Sequence, residues 1–214
     1  MSAKSLASFE RREAERVDTR NRILEAARRM FAEQGYEATT MRAIADAIRY
    51  TPTALYHHFP NKQALVTELC RNDFDGLASH FGDAARIADP LERIQAIGTL
   101  YLQFAVQYPN HYRFMFMTPL PDLEYHTENM GDPERDAYAM LVASCREAIE
   151  RGMLRPQFTD ADELAQILWA ALHGLVSLRI VKHDPWVPWR DLQHSAQQAI
   201  DVLTSGIRKT APAT

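Results

Sequence analysis

The sequence predicts an all-α protein of about nine helices, an N-terminal three-helix helix-turn-helix domain followed by a C-terminal helical bundle. Three observations predict it. Apolar residues recur at helical spacing through most of the chain. Proline sits mostly at the starts of those periodic runs, behind a capping residue, where its missing N–H costs nothing. No segment alternates polar and apolar residues strongly enough to count as a strand, and no internal repeat is visible. The 214 residues are 46% apolar, with 8 Gly and 11 Pro. That is ordinary globular composition, long enough for one or two domains with a full core.

The N-terminal elements follow from local chemistry. Residues 1–17 are charged, and Glu10 to Arg16 reads either as an extension of the first helix or as a mobile arm. A solvated charge run and an arm touching phosphates or the minor groove are both open at this point. From Asp18 or Thr19 the helical period begins, with Ile23, Leu24, Ala27, Met30 and Phe31 on one face and Arg20, Arg22, Arg28 and Arg29 on the polar face. Gly35 ends this helix as a C-cap. Met41 to about Ile48 carries Ile44, Ala45 and Ile48 on one side, with Thr39 or Thr40 as N-cap. Thr51 then caps a helix opened by Pro52. Leu55 and Phe59 share its face, Pro60 stops it, and Asn61 caps the next. Two helices joined by so short a turn form a helix-turn-helix, whose second helix fits the major groove.

The remaining elements are longer. A helix from Asn61 to about Phe81 carries Leu65, Leu69, Phe74 and Leu77. Residues 82–88 are weakly patterned. Asp89 and Pro90 open a helix to Tyr108 with Leu91, Ile94, Ile97, Leu100, Tyr101 and Phe104 along its buried face. Pro109 breaks it, and Asn110 to Met117 reads as a short helix dense in aromatics and sulfur. Thr118 to Asp132 is a loop. Asp132-Pro133-Glu134 opens a helix that Gly152 closes. Asp160 and Glu163 form a capping box for a helix to about Lys182. That helix is apolar nearly all round, so it is expected to be buried on more than one side. A last helix runs from Trp189 to Arg208, and the tail from Thr210 is loose.

Composition narrows the function. Net charge is −4, yet residues 1–62 hold 11 Lys/Arg against 8 Asp/Glu, so the excess of acid lies in the rest of the chain. A basic reader on an acidic body is the footprint of a small DNA-binding module. There is no Gly-rich phosphate loop and no His-Glu-x-x-His, so neither a nucleotide-dependent enzyme nor a zinc protease is expected. Cys70 and Cys145 have no ligand-spaced partners, which excludes a zinc finger. They read as small hydrophobes, with a redox sensor as the alternative. No metal, no cofactor and no enzymatic activity are expected. No leader or membrane span is expected either. The most apolar run, Ile167 to Val181, is interrupted and shorter than the roughly 18 residues a span needs, so a cytoplasmic location is expected.

The run Ile44-Ala45-Asp46, followed by Thr51-Pro52-Thr53-Ala54-Leu55-Tyr56-His57-His58-Phe59-Pro60-Asn61-Lys62, resembles the DNA-binding domain of the tetracycline-repressor (TetR) family of bacterial regulators. Gly35, Thr40 and Leu65 also match, and the likeness covers roughly Thr19 to Leu69. One departure is Arg49, where the family usually has Gly as a left-handed cap. Arg in that conformation costs about 1 kcal/mol, unless the turn is built differently.

The charge run sets residues 1–17 apart as an N-terminal arm, and the resemblance implies a helix-turn-helix domain over 18–65 and a ligand-binding, dimerising domain over 66–209. It implies that Arg42, Pro52, Thr53 and Tyr56 face base edges. Arg42 suits guanine, and Pro52, Thr53 and Ala54 offer apolar surface to thymine methyl groups. Thr40, Tyr56, His57 and Lys62 are placed for phosphates, as are the backbone N–H groups from Thr51 to Thr53. The alternatives are packing of Tyr56 on Leu24, a packing role for His58, and plain helix surface for Lys62. Further on, Trp169-x-x-x-His173-Gly174 resembles a C-terminal subgroup named for Trp-His-Gly. This places Trp169 and His173 on an effector cavity with Phe104, Tyr108, Tyr112, Phe114, Phe116 and Met140, although core packing explains those residues equally well. The implied partners are a double-stranded, near-palindromic operator, a second copy joined through the last two helices, and a small apolar or aromatic effector. The implied protein is a repressor. A small-molecule-binding helical protein that does not act on DNA is the alternative.

Overall fold

The computed structural model describes residues 3–120, 129–181 and 187–210. Among them lie nine α-helices: α1 (Ala3–Gln34), α2 (Met41–Ala47), α3 (Pro52–Tyr56), α4 (Lys62–His80), α5 (Pro90–Gln107), α6 (Pro109–Met117), α7 (Ala137–Glu150), α8 (Ala161–Val181) and α9 (Leu192–Ile207). A short 3-10 turn spans Ala84–Arg86, and the only extended pairing among these residues is an isolated bridge from Leu154 to Arg208. The all-α expectation holds. The chain forms two compact units, Met1–Asp73 with Asn110–Tyr125, and Phe74–Pro109 with His126–Thr214.

In the first unit, α1 starts at Ala3 rather than near Asp18. Nothing interrupts the charged run, since it holds neither Gly nor Pro, and exposed i,i+4 and i,i+3 pairs (Arg11–Glu15 at 3.8 Å, Glu13–Arg16 at 3.9 Å) lie along it. The core is Ile23, Leu24, Ala27 and Phe31 of α1 against Ile44, Leu55, Phe59 and Leu65, all buried. Arg28 departs from expectation. It lies not on a polar face but buried, its guanidinium bidentate on the Asp73 carboxylate at 2.7 and 2.8 Å. A second helix covers that side of α1, which a one-helix pattern cannot register.

The predicted caps are in place. Thr40, Thr51 and Asn61 side chains accept from the backbone N–H groups of Ala43, Ala54 and Ala64 at 3.1, 3.2 and 2.7 Å. Arg49 adopts φ +60. The Tyr50 N–H donates to the Ala45 carbonyl at 2.8 Å and the Arg49 N–H to that of Asp46 at 3.1 Å. That is the Schellman arrangement, built with Arg at the position that favours Gly. Relief of left-handed strain outweighs the backbone entropy of Gly here, so Arg49→Gly is expected to raise stability by about 0.5–1 kcal/mol, read from a urea midpoint.

The second unit packs α5, α7, α8 and α9 around Ile94, Ile97, Leu141, Leu168, Leu172 and Ile200. Asp89 caps α5, accepting from Leu91 and Glu92 N–H at 2.8 and 3.1 Å. Asp160 caps α8 in the same way through Asp162 and Glu163. Two starts differ from expectation. Asp132-Pro133-Glu134 forms a turn of its own, and α7 begins one turn later behind Asp136, which accepts from Tyr138 N–H at 2.9 Å. Likewise α9 begins at Leu192, capped by Asp191, and not at Trp189. In both cases an Asp nearer the first buried residue supplies the cap. Residues 121–128 of the expected loop, the expected helix end at Lys182 and the tail beyond Thr210 lie outside the described residues.

Helix α8 is 21 residues long and its most apolar 18-residue stretch has a mean hydropathy of 1.6, so by length and composition it could cross a membrane, contrary to the reading of its apolar run as too short. Leu164, Ala165, Leu168, Leu172 and Val176 nevertheless form a stripe buried in the bundle. Within one chain it is buried on that side only, and Ile167, Leu178 and Val181 remain exposed.

Candidate nucleic-acid interface and apolar cavity

The recognition element is short and its orientation is over-determined. Leu55 and Phe59 plug the first unit's core, at 0% and 1% exposure. Arg20 of α1 donates to the His58 carbonyl at 2.8 Å, lies 4.2 Å from the Phe59 ring centroid and is bidentate on Glu68 of α4. With one side so fixed, α3 turns Thr51, Thr53, Tyr56 and His57 outward, all exposed, with Pro52 half-buried. Tyr56 is 49% exposed, so its ring is not spent on Leu24. Thr40 and Arg42 at the start of α2 are exposed too, and Arg42 meets Asp46 only at 4.0 Å. These residues can reach a duplex with a hydroxyl, a phenol, an imidazole and a guanidinium, which suits base edges and phosphates.

Lys62 stands differently from the other candidates. Its ammonium donates to the Tyr36 carbonyl and lies 3.9 Å from the Tyr36 ring centroid. Burial lowers its pKa, with Glu37 opposing the shift. It braces the Gly35 turn in this form. His58 is half-buried. Burial, then the charges of Arg20 and Arg16, hold its imidazole below the usual range.

The residues expected to share one effector cavity are distributed over the two compact units. Tyr112, Phe114 and Phe116 belong to the first unit, where Phe114 stacks on Phe31 with centroids 6.0 Å apart and Tyr112 packs on Phe116 at 5.1 Å. Phe104 and Tyr108 pack on each other at 5.4 Å in the second unit, and Met140 is buried there. One cavity of the second unit is lined by Ile97, Gly98, Tyr101, Trp169, Leu172 and Ile200 among others, an apolar space of about 50 Å³. Of the eight expected residues, Trp169 lines it. His173 stands behind: Trp169 Nε1–H donates to the Tyr101 hydroxyl at 3.2 Å, and that hydroxyl lies 3.2 Å from His173 Nδ1. Burial lowers the His173 pKa, so the neutral imidazole is favoured and its Nδ1 can accept from Tyr101. Gly98 was not singled out by sequence. A Cβ there would meet Leu172 Cδ1 at 3.1 Å and Ile200 Cδ1 at 3.3 Å, so its lack of a side chain lets α5 approach both α8 and α9. Cys70 and Cys145 are buried and their thiols pushed up to about 12, mainly by burial, which suits packing and not thiolate chemistry.

A helix-turn-helix with an outward recognition helix and a helical bundle holding an apolar cavity together define a ligand-responsive DNA-binding regulator. Comparison with known proteins places it further. Residues 23–69 match the bacterial regulatory proteins of the tetR family, and residues 94–203 match the tetracyclin repressor-like C-terminal domain. The chain belongs to the TetR family of transcriptional regulators. It is 29% identical over 206 residues to the HTH-type transcriptional repressor KstR2 of Mycobacterium tuberculosis, covering 89% of this chain and 93% of that one. The solved structure of that ketosteroid transcriptional regulator aligns with a TM-score of 0.65 at 26% identity, over 90% of this chain and 96% of its own. The HTH-type transcriptional regulator UidR of Escherichia coli is 34% identical over 158 residues, 70% of this chain and 76% of that protein. The regulator PfmR of Thermus thermophilus shares the fold, with a TM-score of 0.71 at 24% identity over 89% of this chain and 98% of its own.

Proposed function

We propose that this protein is a cytoplasmic homodimeric repressor with no enzymatic activity of its own. It binds a near-palindromic operator and releases it when an apolar effector enters the second unit. The observation that carries the reading is the outward face of α3, with Thr51, Thr53, Tyr56 and His57 exposed on a helix otherwise locked into the core. Thr40, Arg42, Thr51, Pro52, Thr53, Tyr56 and His57 form the DNA interface. Lys62 joins it only by leaving the Tyr36 carbonyl. One such helix reads a few base pairs, so a two-fold dimer on two half-sites is expected. Helices α8 and α9 supply the dimer face. Ile167, Leu178 and Val181 on α8, with Val202 at 70% exposure on α9, are left uncovered by the described residues.

The effector cavity is closed in this form. About 50 Å³ is far below the roughly 300–1,000 Å³ of a ligand pocket. An effector must therefore part Leu172 and Ile200 from Gly98, moving α8 and α9, the helices of the dimer face. That gives the effector different affinities for two dimer geometries, which is what release of an operator requires. The Tyr101 hydroxyl, held between Trp169 and His173, offers the apolar space one polar group to orient a ligand. Ketosteroids are the first compounds to try, since the relative KstR2 is described as a ketosteroid transcriptional regulator.

The test is operator release measured by fluorescence anisotropy across a panel of sterols, ketosteroids and fatty acyl compounds. Gly98→Ala narrows the cavity while improving helix propensity by about 1 kcal/mol. It is expected to keep operator affinity within about twofold and to raise the effector concentration for half-release at least tenfold. Unchanged release by Gly98→Ala would place the effector elsewhere.

A further inference from the structure

Helix α1 extends well beyond the part that builds the core. Arg12, Arg16, Thr19 and Arg22 recur at i, i+4, i+7 and i+10, which puts them along one side of that helix. They line an open cleft whose other wall is Tyr50, in the turn between α2 and α3, and His58, just past the end of α3. The stripe is held in register. The Thr19 and Tyr50 hydroxyls are 3.2 Å apart, and Arg22 lies 5.6 Å from the Tyr50 ring centroid with a hydrogen bond to the Ile48 carbonyl at 3.4 Å. Glu15 and Asp18 also line the cleft, but Glu15 lies 3.8 Å from Arg11 and is partly neutralised by it. Among the described residues no carboxylate lies within ion-pair distance of Arg12. Arg16 lies 3.9 Å from Glu13, and after burial the charges of Arg20 and Arg16 add to the lowering of the His58 pKa.

We infer that this side of α1 is a second DNA contact, in which Arg12, Arg16 and Arg22 bind the phosphate backbone of the operator duplex beside the half-site read by α3. The inference rests on the operator reading above and extends it. From Arg12 to Arg22 is about 15 Å of helix, and one strand of duplex carries a phosphate about every 3.4 Å of axis, so several phosphates fall within reach. The cleft adjoins the turn and the far end of α3, so a duplex seated on that helix passes its backbone there. Backbone contacts of this kind add affinity and register but no sequence preference.

The experiment is the salt dependence of binding by the full-length protein to a selected operator and to a scrambled duplex. Each lost phosphate contact lowers the slope of log K against log salt by about 0.9. Arg12→Gln/Arg16→Gln is expected to reduce the slope by about 1.8 on both duplexes and to shorten the hydroxyl-radical footprint at its outer edges. Arg11→Gln removes one charge where the double variant removes two, one residue away and outside the cleft, and is expected to leave the footprint unchanged and the slope within about 0.5 of wild type. All three arginines are exposed, and thermal unfolding is expected to be unaltered. Specific binding by the wild type with the same slope and footprint in the double variant overturns this inference alone. A slope loss in Arg11→Gln of half that of the double variant or more would also overturn it, because only net charge would then be at work. If the wild type itself does not distinguish the two duplexes, the operator reading falls and this inference falls with it.

Discussion

Asp73→Ala is expected to destabilise the first unit by about 3–5 kcal/mol, because it strands the Arg28 guanidinium in the interior without a counter-charge. Both side chains are almost fully buried, at 7% and 1% exposure, and Arg28 is bidentate on the carboxylate. Asp73 also faces His111 Nδ1 at 3.2 Å, so one carboxylate ties α1, α4 and α6. Breaking a buried pair costs more than the pair contributes, since the survivor keeps its desolvation cost. Glu25, which also meets Arg28, is 60% exposed, and Glu25→Ala is expected to cost under about 1 kcal/mol. Urea unfolding followed by circular dichroism separates the two. Equal, small losses in both variants would show that the Arg28–Asp73 pair is not the tie it appears from its geometry.

Tyr56→Ala is expected to lower operator affinity by about 5- to 150-fold, the 1–3 kcal/mol of a lost specific contact. The ring is half exposed, so its loss opens no core cavity, and the unfolding midpoint should move by no more than about 0.5 kcal/mol. Its neighbour sets the contrast. Leu55 is fully buried, and Leu55→Ala is expected to cost about 2–5 kcal/mol of stability. A Tyr56→Ala protein that binds scrambled and operator DNA as the wild type does would remove Tyr56 from the interface. One that unfolds would return it to the core.

What could be read in advance was local chemistry. Thr40, Thr51, Asn61, Asp89 and Asp160 cap the helices they announce, because a capping hydroxyl or carboxylate acts on N–H groups two or three residues away. The outward face of α3 is legible for the same reason, since Leu55 and Phe59 fix which side is core. Where two caps compete, as at Asp132 and Asp136, pattern alone chose too early. Contacts between distant segments were not legible. Arg28 reads as surface until Asp73, 45 positions on, lies against it. Gly98 reads as an unremarked helix residue until Leu172 and Ile200 stand 3.1–3.3 Å from where its Cβ would be. The aromatic positions expected around one cavity were chosen by residue type, and type does not say that Phe114 packs on Phe31. The apolar surface of α8 predicted burial on two sides, and the chain alone buries one.

The central claim is that the outward face of α3 reads a two-fold operator. Its most direct test is selection of genomic fragments by the purified protein at moderate salt, followed by sequencing. The account predicts enrichment of one inverted-repeat motif, with half-sites whose centres lie about 10 base pairs or a multiple apart, and loss of that enrichment in Tyr56→Ala. Recovery of fragments with no shared motif, at a level Tyr56→Ala does not change, would contradict it.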